Sequence, residues 1–167
     1  EQLTSRTAEH DLELSATKST VTLFTPWSVQ YGRLPPVLLE GAAIPQENHP
    51  KLLGVTWDPM FTFNKHATIV ARKACSRLNI LRALGDTSFG HDKECLTATF
   101  KSMIRPILDY AAPIVYPQYA SSSLRRLQSI QNRALRFITG CHSASSVDHL
   151  HAETKILPVD RHLFLLS

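Results

Sequence analysis

The chain has 167 residues, 43% apolar and 19% charged, with a net charge of +4 and three cysteines. These proportions supply the core of one ordinary domain or two small ones, and they exclude collagen-like, highly charged disordered and disulfide-dense classes. Cys75, Cys95 and Cys141 are odd in number and widely separated, which fits free thiols in an intracellular compartment, cytoplasmic or nuclear, and the apolar runs fall far short of the ~20 residues that cross a bilayer, so no membrane partner is expected.

The chain opens Glu-Gln-Leu-Thr, with neither an initiator methionine nor a secretory signal, and reads as a portion of something longer. Its charge is unevenly spread. Residues 1–60 hold four Lys or Arg against seven carboxylates, whereas Lys65 to Arg136 hold twelve cations against four. That asymmetry points to a basic surface meeting a polyanion, although Lys and Arg also solvate the outer faces of many helical proteins.

Leu12 and Leu14 alternate with polar residues, and Val21, Leu23 and Phe24 stand among threonines, which predicts two short strands joined by a turn. A proline- and glycine-punctuated loop follows from Thr25 to Arg33. Strand-length apolar runs occupy Pro36–Gly41 and Lys51–Trp57, closed by Asp58-Pro59, so the first third reads as a small antiparallel sheet. After Pro59 the period lengthens. Phe63, Ala67, Val70, Ala74, Leu78 and Leu81 step by three or four, predicting one long helix to Leu84 with Gly85 as its stop. Leu96, Phe100, Met103 and Ile107 predict a second helix broken near Pro106, and the prolines between Tyr110 and Pro117 a turn or broken helix. Ser121 to Thr139 follows as an amphipathic helix with serines to cap it and Gly140 to end it. A short helix around Val147–Thr154 and an apolar one from Val159 complete the chain.

On a wheel of ~100° per residue, Leu127, Ile130, Gln131, Ala134, Leu135 and Ile138 gather on one arc of the Ser121–Thr139 helix, and Arg125, Arg126, Arg133 and Arg136 on the opposite one. Four guanidiniums without an interleaved acid suit a phosphate backbone, which arginine binds bidentately; the alternative is a solvated outer face. A weaker version lies on the long helix at Lys73 and Arg77, with Lys65 and Arg72 nearby.

Other chemistries lack support. Cys141, His142, Asp148, His149 and His151 match no paired zinc-ligand spacing and are expected to cap or pack locally. There is neither a glycine-rich phosphate loop nor a G-x-S-x-G elbow, and Asp58, Asp86, Asp92 and Asp109 are too isolated to form a two-metal centre, so no metal or small-molecule cofactor is expected here.

The ordered motifs resemble the reverse transcriptases of non-LTR retrotransposons. Leu12 to Phe24, with its Lys18-Ser pair, resembles the palm edge that follows that family's catalytic aspartates, and Lys51-Leu-Leu-Gly-Val-Thr-Trp-Asp58 resembles its primer-grip hairpin, placing Leu53 and Gly54 against the primer strand. The helix with Lys65, Arg72, Lys73 and Arg77 is similar to the first thumb helix. Arg105-Pro-Ile-Leu-Asp-Tyr-Ala-Ala-Pro resembles the family's Arg-Pro signature; Gln131-Asn-Arg-Ala-Leu-Arg136 and Leu157-Pro158 with Arg161 complete the order. The resemblance implies an α+β chain: a palm-edge remnant over residues 1–58, thumb helices over 59–117, and a basic helix with the start of a linker over 118–167. It also implies RNA-templated DNA synthesis by the parent polymerase. The Tyr-x-Asp-Asp strand is not in this chain, so the chain alone is expected to be inactive, with Mg²⁺ required only by the intact enzyme. Expected partners are an RNA/DNA template-primer duplex, contacted by Lys65, Arg72, Lys73, Arg77, Lys101, Arg105, Arg125, Arg126, Arg133 and Arg136, and the remainder of the polymerase. Lys18 matches a lysine that acts as a general acid toward pyrophosphate in related polymerases, or is an exposed turn residue. Leu53 and Gly54 have as alternative an ordinary bulged strand. The competing function is a degenerate transposon remnant serving as a helical protein-interaction module.

Overall fold

The computed structural model describes His10 and residues 14–30, 35–39, 41–85 and 92–167. The chain divides into two units, Glu1–Phe61 and Thr62–Ser167. Strands occupy the first and helices the second, an α+β chain as the residue patterns imply.

The first unit holds two hairpins. β1 (Leu38–Leu39) pairs antiparallel with β2 (Ala42–Ala43), and β3 (Lys51–Leu52) with β4 (Val55–Thr56). The predicted single sheet is thus two separate ribbons, because each apolar run folds back on itself at a glycine, Gly41 or Gly54, both at φ 83°. Leu12 and its neighbours Asp11 and Glu13 lie outside the described residues. The strand predicted at Val21–Phe24 is not formed: Val21 makes one parallel bridge to Gln46, donating to the Pro45 carbonyl and accepting from Glu47 N–H. Proline on that partner segment has no N–H to extend the ladder. Lys18 closes a turn by donating its N–H to Ser15 O at 3.2 Å and is exposed. Apolar organisation here comes from rings: Phe24 stacks on Phe61 at 4.9 Å, and Trp57 meets both edge-on at 6.5 and 5.9 Å.

The second unit is built on α1 (Asn64–Leu84) and α5 (Ser121–Thr139), with α2 (Lys93–Met103), α3 (Arg105–Asp109) and α4 (Ala112–Val115) between them and α6 (Val147–Thr154) and α7 (Val159–Leu166) after. The predicted stripe of α1 is the buried one: Ala67, Val70, Ala74, Leu78 and Leu81 are all inside, as is Phe63 at the N-cap. Asp92 starts α2 by accepting from Cys95 N–H at 2.7 Å, and Pro106 in the first turn of α3 marks the predicted break. α5 buries Leu127, Ile130, Ala134, Leu135 and Ile138, its wheel's apolar arc, and Gly140 at φ 67° ends it. Each buried leucine contributes about 2 kcal/mol.

Two details of the ends differ from expectation. No serine caps α5; instead Ser123 Oγ donates to Asn64 Oδ1 at 3.1 Å, spending its hydroxyl on α1. Gly85 sits at φ −90°, which any residue tolerates, so its backbone handedness is not the point. A Cβ there would stand 2.6 Å from Phe137 Cζ, so any other residue at this position makes the Phe137 ring of α5 shift. These contacts also set direction: Asn64 meets Ser123 at one end and Gly85 meets Phe137 at the other, so α1 and α5 run side by side in the same sense.

Candidate nucleic-acid interface

Because α1 and α5 are parallel neighbours, their outer residues build one surface. α1 carries Lys65, Arg72, Lys73, Arg77 and Arg82, and α5 carries Arg125, Arg126, Arg133 and Arg136; neither helix contains a single Asp or Glu. Among the described residues the ion pairs are Lys93–Glu153, Arg105–Asp109, His149–Glu153 and His162–Asp109, none of which uses a cation of α1 or α5. The join between the two rows is direct. Arg126 Nη1 donates to Thr68 Oγ1 at 2.9 Å, and Thr68 lies three residues from Lys65 and four from Arg72, on the same line of α1. Arg126 and Arg133 are seven residues apart on α5, two turns or about 10.5 Å along its axis. Lys65, Arg72, Arg126 and Arg133 therefore form a carboxylate-free cationic face across the α1–α5 seam, and all four are exposed.

The remaining predicted cations distribute differently. Lys73 and Arg77 are exposed on a second line of α1, and Lys101 is exposed on the last turn of α2. Arg125 is exposed, with Nε donating back to Ser121 O at 3.3 Å. Arg136 is half-buried and its Nη2 lies 3.5 Å from Ser145 O, tying down the loop after α5. Arg105 corrects the expectation most sharply. It is only 8% exposed, and its guanidinium faces inward rather than toward a duplex. Leu53 and Gly54, in the other unit, form the tip of the β3–β4 hairpin with φ 48° and 83°, the positive-φ pair of a type I′ turn, and the Leu53 side chain is 83% exposed. They are a turn and not a bulged strand. Leucine at such a position carries roughly 1–2 kcal/mol of backbone strain.

Arg105 is the centre of a polar node that sequence reasoning missed. Its Nη1 donates to Gln131 Oε1 at 2.5 Å and lies 3.4 Å from Leu157 O, while Nε stands 3.3 Å from Asp109 Oδ1. Gln131, fully buried on α5, also donates Nε2 to Leu157 O at 2.8 Å, and Asp109 Oδ2 meets His162 Nε2 of α7 at 3.1 Å. Burial pulls the Arg105 guanidinium below its ordinary value, and the Asp109 charge and hydrogen bonding oppose that shift. A second glutamine works beside it. Gln128 Oε1 accepts Val159 N–H at 2.7 Å at the start of α7, and its Nε2 donates to Asn132 Oδ1 and to His151 Nε2, whose Nδ1–H donates to Ile156 O at 2.7 Å. The Arg-Pro-Ile-Leu-Asp, Gln-Asn-Arg and Leu-Pro motifs thus meet in one buried network holding α3, α5 and the segment before α7. One signal was available: Gln131 is the polar residue inside the apolar arc of α5, and a polar group there requires a partner.

Among the described residues no three His, Cys, Asp or Glu are placed to hold a metal ion. No helix among them is long and apolar enough to cross a membrane.

The chain is similar to the "Probable RNA-directed DNA polymerase from transposon BS" of Drosophila melanogaster, 30% identical over 128 residues, which are 77% of this chain and 14% of that protein. It is equally similar to the "Probable RNA-directed DNA polymerase from transposon X-element" of the same organism, 30% over 129 residues, and is 33% identical over 113 residues to the "RNA-directed DNA polymerase from mobile element jockey". The aligned part spans 12–14% of the length of these relatives. No protein-family model matches the chain, and no solved structure does.

Proposed function

From a chain that is a relative of a segment of the non-LTR retrotransposon RNA-directed DNA polymerases, we propose that it is the thumb of such a polymerase, with an adjoining palm edge, and that its α1–α5 face grips the template-primer duplex. The observation that carries this reading is the carboxylate-free row of Lys65, Arg72, Arg126 and Arg133 across two parallel helices. Exposed bundle helices ordinarily mix charge signs, which limits self-repulsion; a face that accepts the repulsion is suited to a polyanion. Its contacts fall on sugar and phosphate and carry no base code, as a polymerase advancing along any sequence requires. Release of condensed counterions supplies the affinity, and each phosphate neutralised adds about 0.7–0.9 to the slope of log K against log salt.

In this reading the Leu53–Gly54 tip approaches the primer strand, glycine leaving room for the backbone, and Lys18 is either an accessory general acid or a solvated turn residue. The reacting aspartates and their Mg²⁺ belong to the remainder of the polymerase, the second partner of this chain.

Fluorescence anisotropy on a labelled RNA/DNA hybrid tests the proposal. Reversing Lys65, Arg72, Arg126 and Arg133 to Glu is expected to abolish retention at low salt while leaving the helical circular dichroism intact. Equal affinity of the variant and the natural chain refutes the duplex reading and favours an interaction module with an inherited basic face.

A further inference from the structure

A groove of about 770 Å³ opens between α5, α6 and α7, within the range of clefts that enclose small organic groups. A second cavity of about 330 Å³ continues it, since Leu157, Asp160 and Arg161 line both. Three observations identify what suits this path. Arg125 lines the groove from the first turns of α5, next in the chain to Arg126 of the cationic face. Lys155 and Arg161 place two further cations along it. At the far cavity the rings of Tyr116 and Phe164 line the wall, and Phe164 is 66% exposed, an apolar ring face open to a stacking partner.

We propose that this path is a track for a single-stranded nucleic-acid segment running off the duplex held on α1 and α5. The chemistry separates the two forms of nucleic acid. The α1–α5 face, free of carboxylates, suits the dense charge of a duplex, whereas the groove sets Asp148 and Asp160 among its three cations and the cavity that continues it offers an apolar wall with aromatic rings. Unpaired bases bury their faces on such walls and bring fewer phosphates, so cations interleaved with stacking rings fit a single strand. Along its length a duplex shows its bases only edge-on and there gains nothing from Phe164. The inference rests on the duplex reading for its direction, yet the groove is testable alone.

The experiment uses the full chain with three probes: a blunt RNA/DNA hybrid, the same hybrid with a single-stranded DNA extension of about eight nucleotides, and that single strand alone. The extension is expected to tighten binding about tenfold. Lys155→Glu with Arg161→Glu is expected to return the extended hybrid to the affinity of the blunt one, which itself changes less than about twofold, and Phe164→Ala to lose about fivefold on the extended probe only. Tight binding of both hybrids without preference for the extension overturns the track and leaves the duplex reading standing. Binding of the single strand alone that is lost in the double variant, with no binding of the blunt hybrid, supports the track and refutes the duplex reading. Equal loss on blunt and extended hybrids assigns Lys155 and Arg161 to the duplex face and overturns the track.

Discussion

Replacing Arg105 by methionine keeps a long unbranched stem and removes the guanidinium, so the consequences follow atom by atom. Gln131 Oε1, fully buried, loses the donor 2.5 Å away, and an orphaned buried acceptor costs about 1–3 kcal/mol. Leu157 O loses a contact at 3.4 Å but keeps Gln131 Nε2 at 2.8 Å, so its cost is small. Asp109, one-fifth exposed, loses the cation at 3.3 Å and retains His162 at 3.1 Å, adding about 1 kcal/mol. Burying methionine in place of a guanidinium recovers part of the desolvation penalty. The sum is a loss of about 2–3 kcal/mol, which at a slope of about 1.5 kcal/mol per molar urea lowers the unfolding midpoint by about 1–2 M. In a double-mutant cycle, Gln131→Met removes the acceptor that Arg105→Met orphans, so the two losses overlap by at least about 1 kcal/mol. Urea titration followed by circular dichroism measures both. A midpoint moved by less than about 0.3 M, or strictly additive losses, refutes the network. The same substitution is expected to leave hybrid affinity unchanged, in contrast to Arg126→Ala.

Gly85→Ala forces a methyl to within 2.6 Å of the Phe137 ring and is expected to cost about 1–3 kcal/mol, recovered in large part by Phe137→Leu; a neutral effect in urea titration counts against the close approach of α1 and α5. His66 is buried, and burial first, then the Lys73 charge, lowers its proton affinity. The fold therefore favours its uncharged form, so stability is full above the imidazole's unfolded value near 6.5 and falls as pH drops below it, and His66→Gln is expected to flatten that fall in a pH series of urea midpoints. Persistence of the same slope in the variant would assign the dependence elsewhere. Leu53→Asn relieves the positive φ and is expected to stabilise the hairpin unit by about 1 kcal/mol while weakening hybrid binding; a gain in both would remove Leu53 from the primer contact.

Periodicity made the helical half legible, because a helix that buries one face must repeat apolar residues at 3.6, and Ala67, Val70, Ala74, Leu78 and Leu81 obey that requirement whatever they pack against. The cationic arc of α5 was legible for the same reason. The strands were less so: two-residue ribbons bury too little to impose alternation, and whether Pro36–Gly41 pairs with another run or with itself is decided by a turn and not by composition. What the order of residues alone settled, then, is which faces are wet and which are dry. Which wet cation stays wet was settled by tertiary packing. Arg105 and Arg126 are the same residue type on helices of one unit, yet one is drawn inside by a buried amide and a carboxylate while the other crosses to Thr68 at the surface. A side chain's partners come from segments distant in the chain, and a one-dimensional pattern holds no record of which segments the fold will bring together.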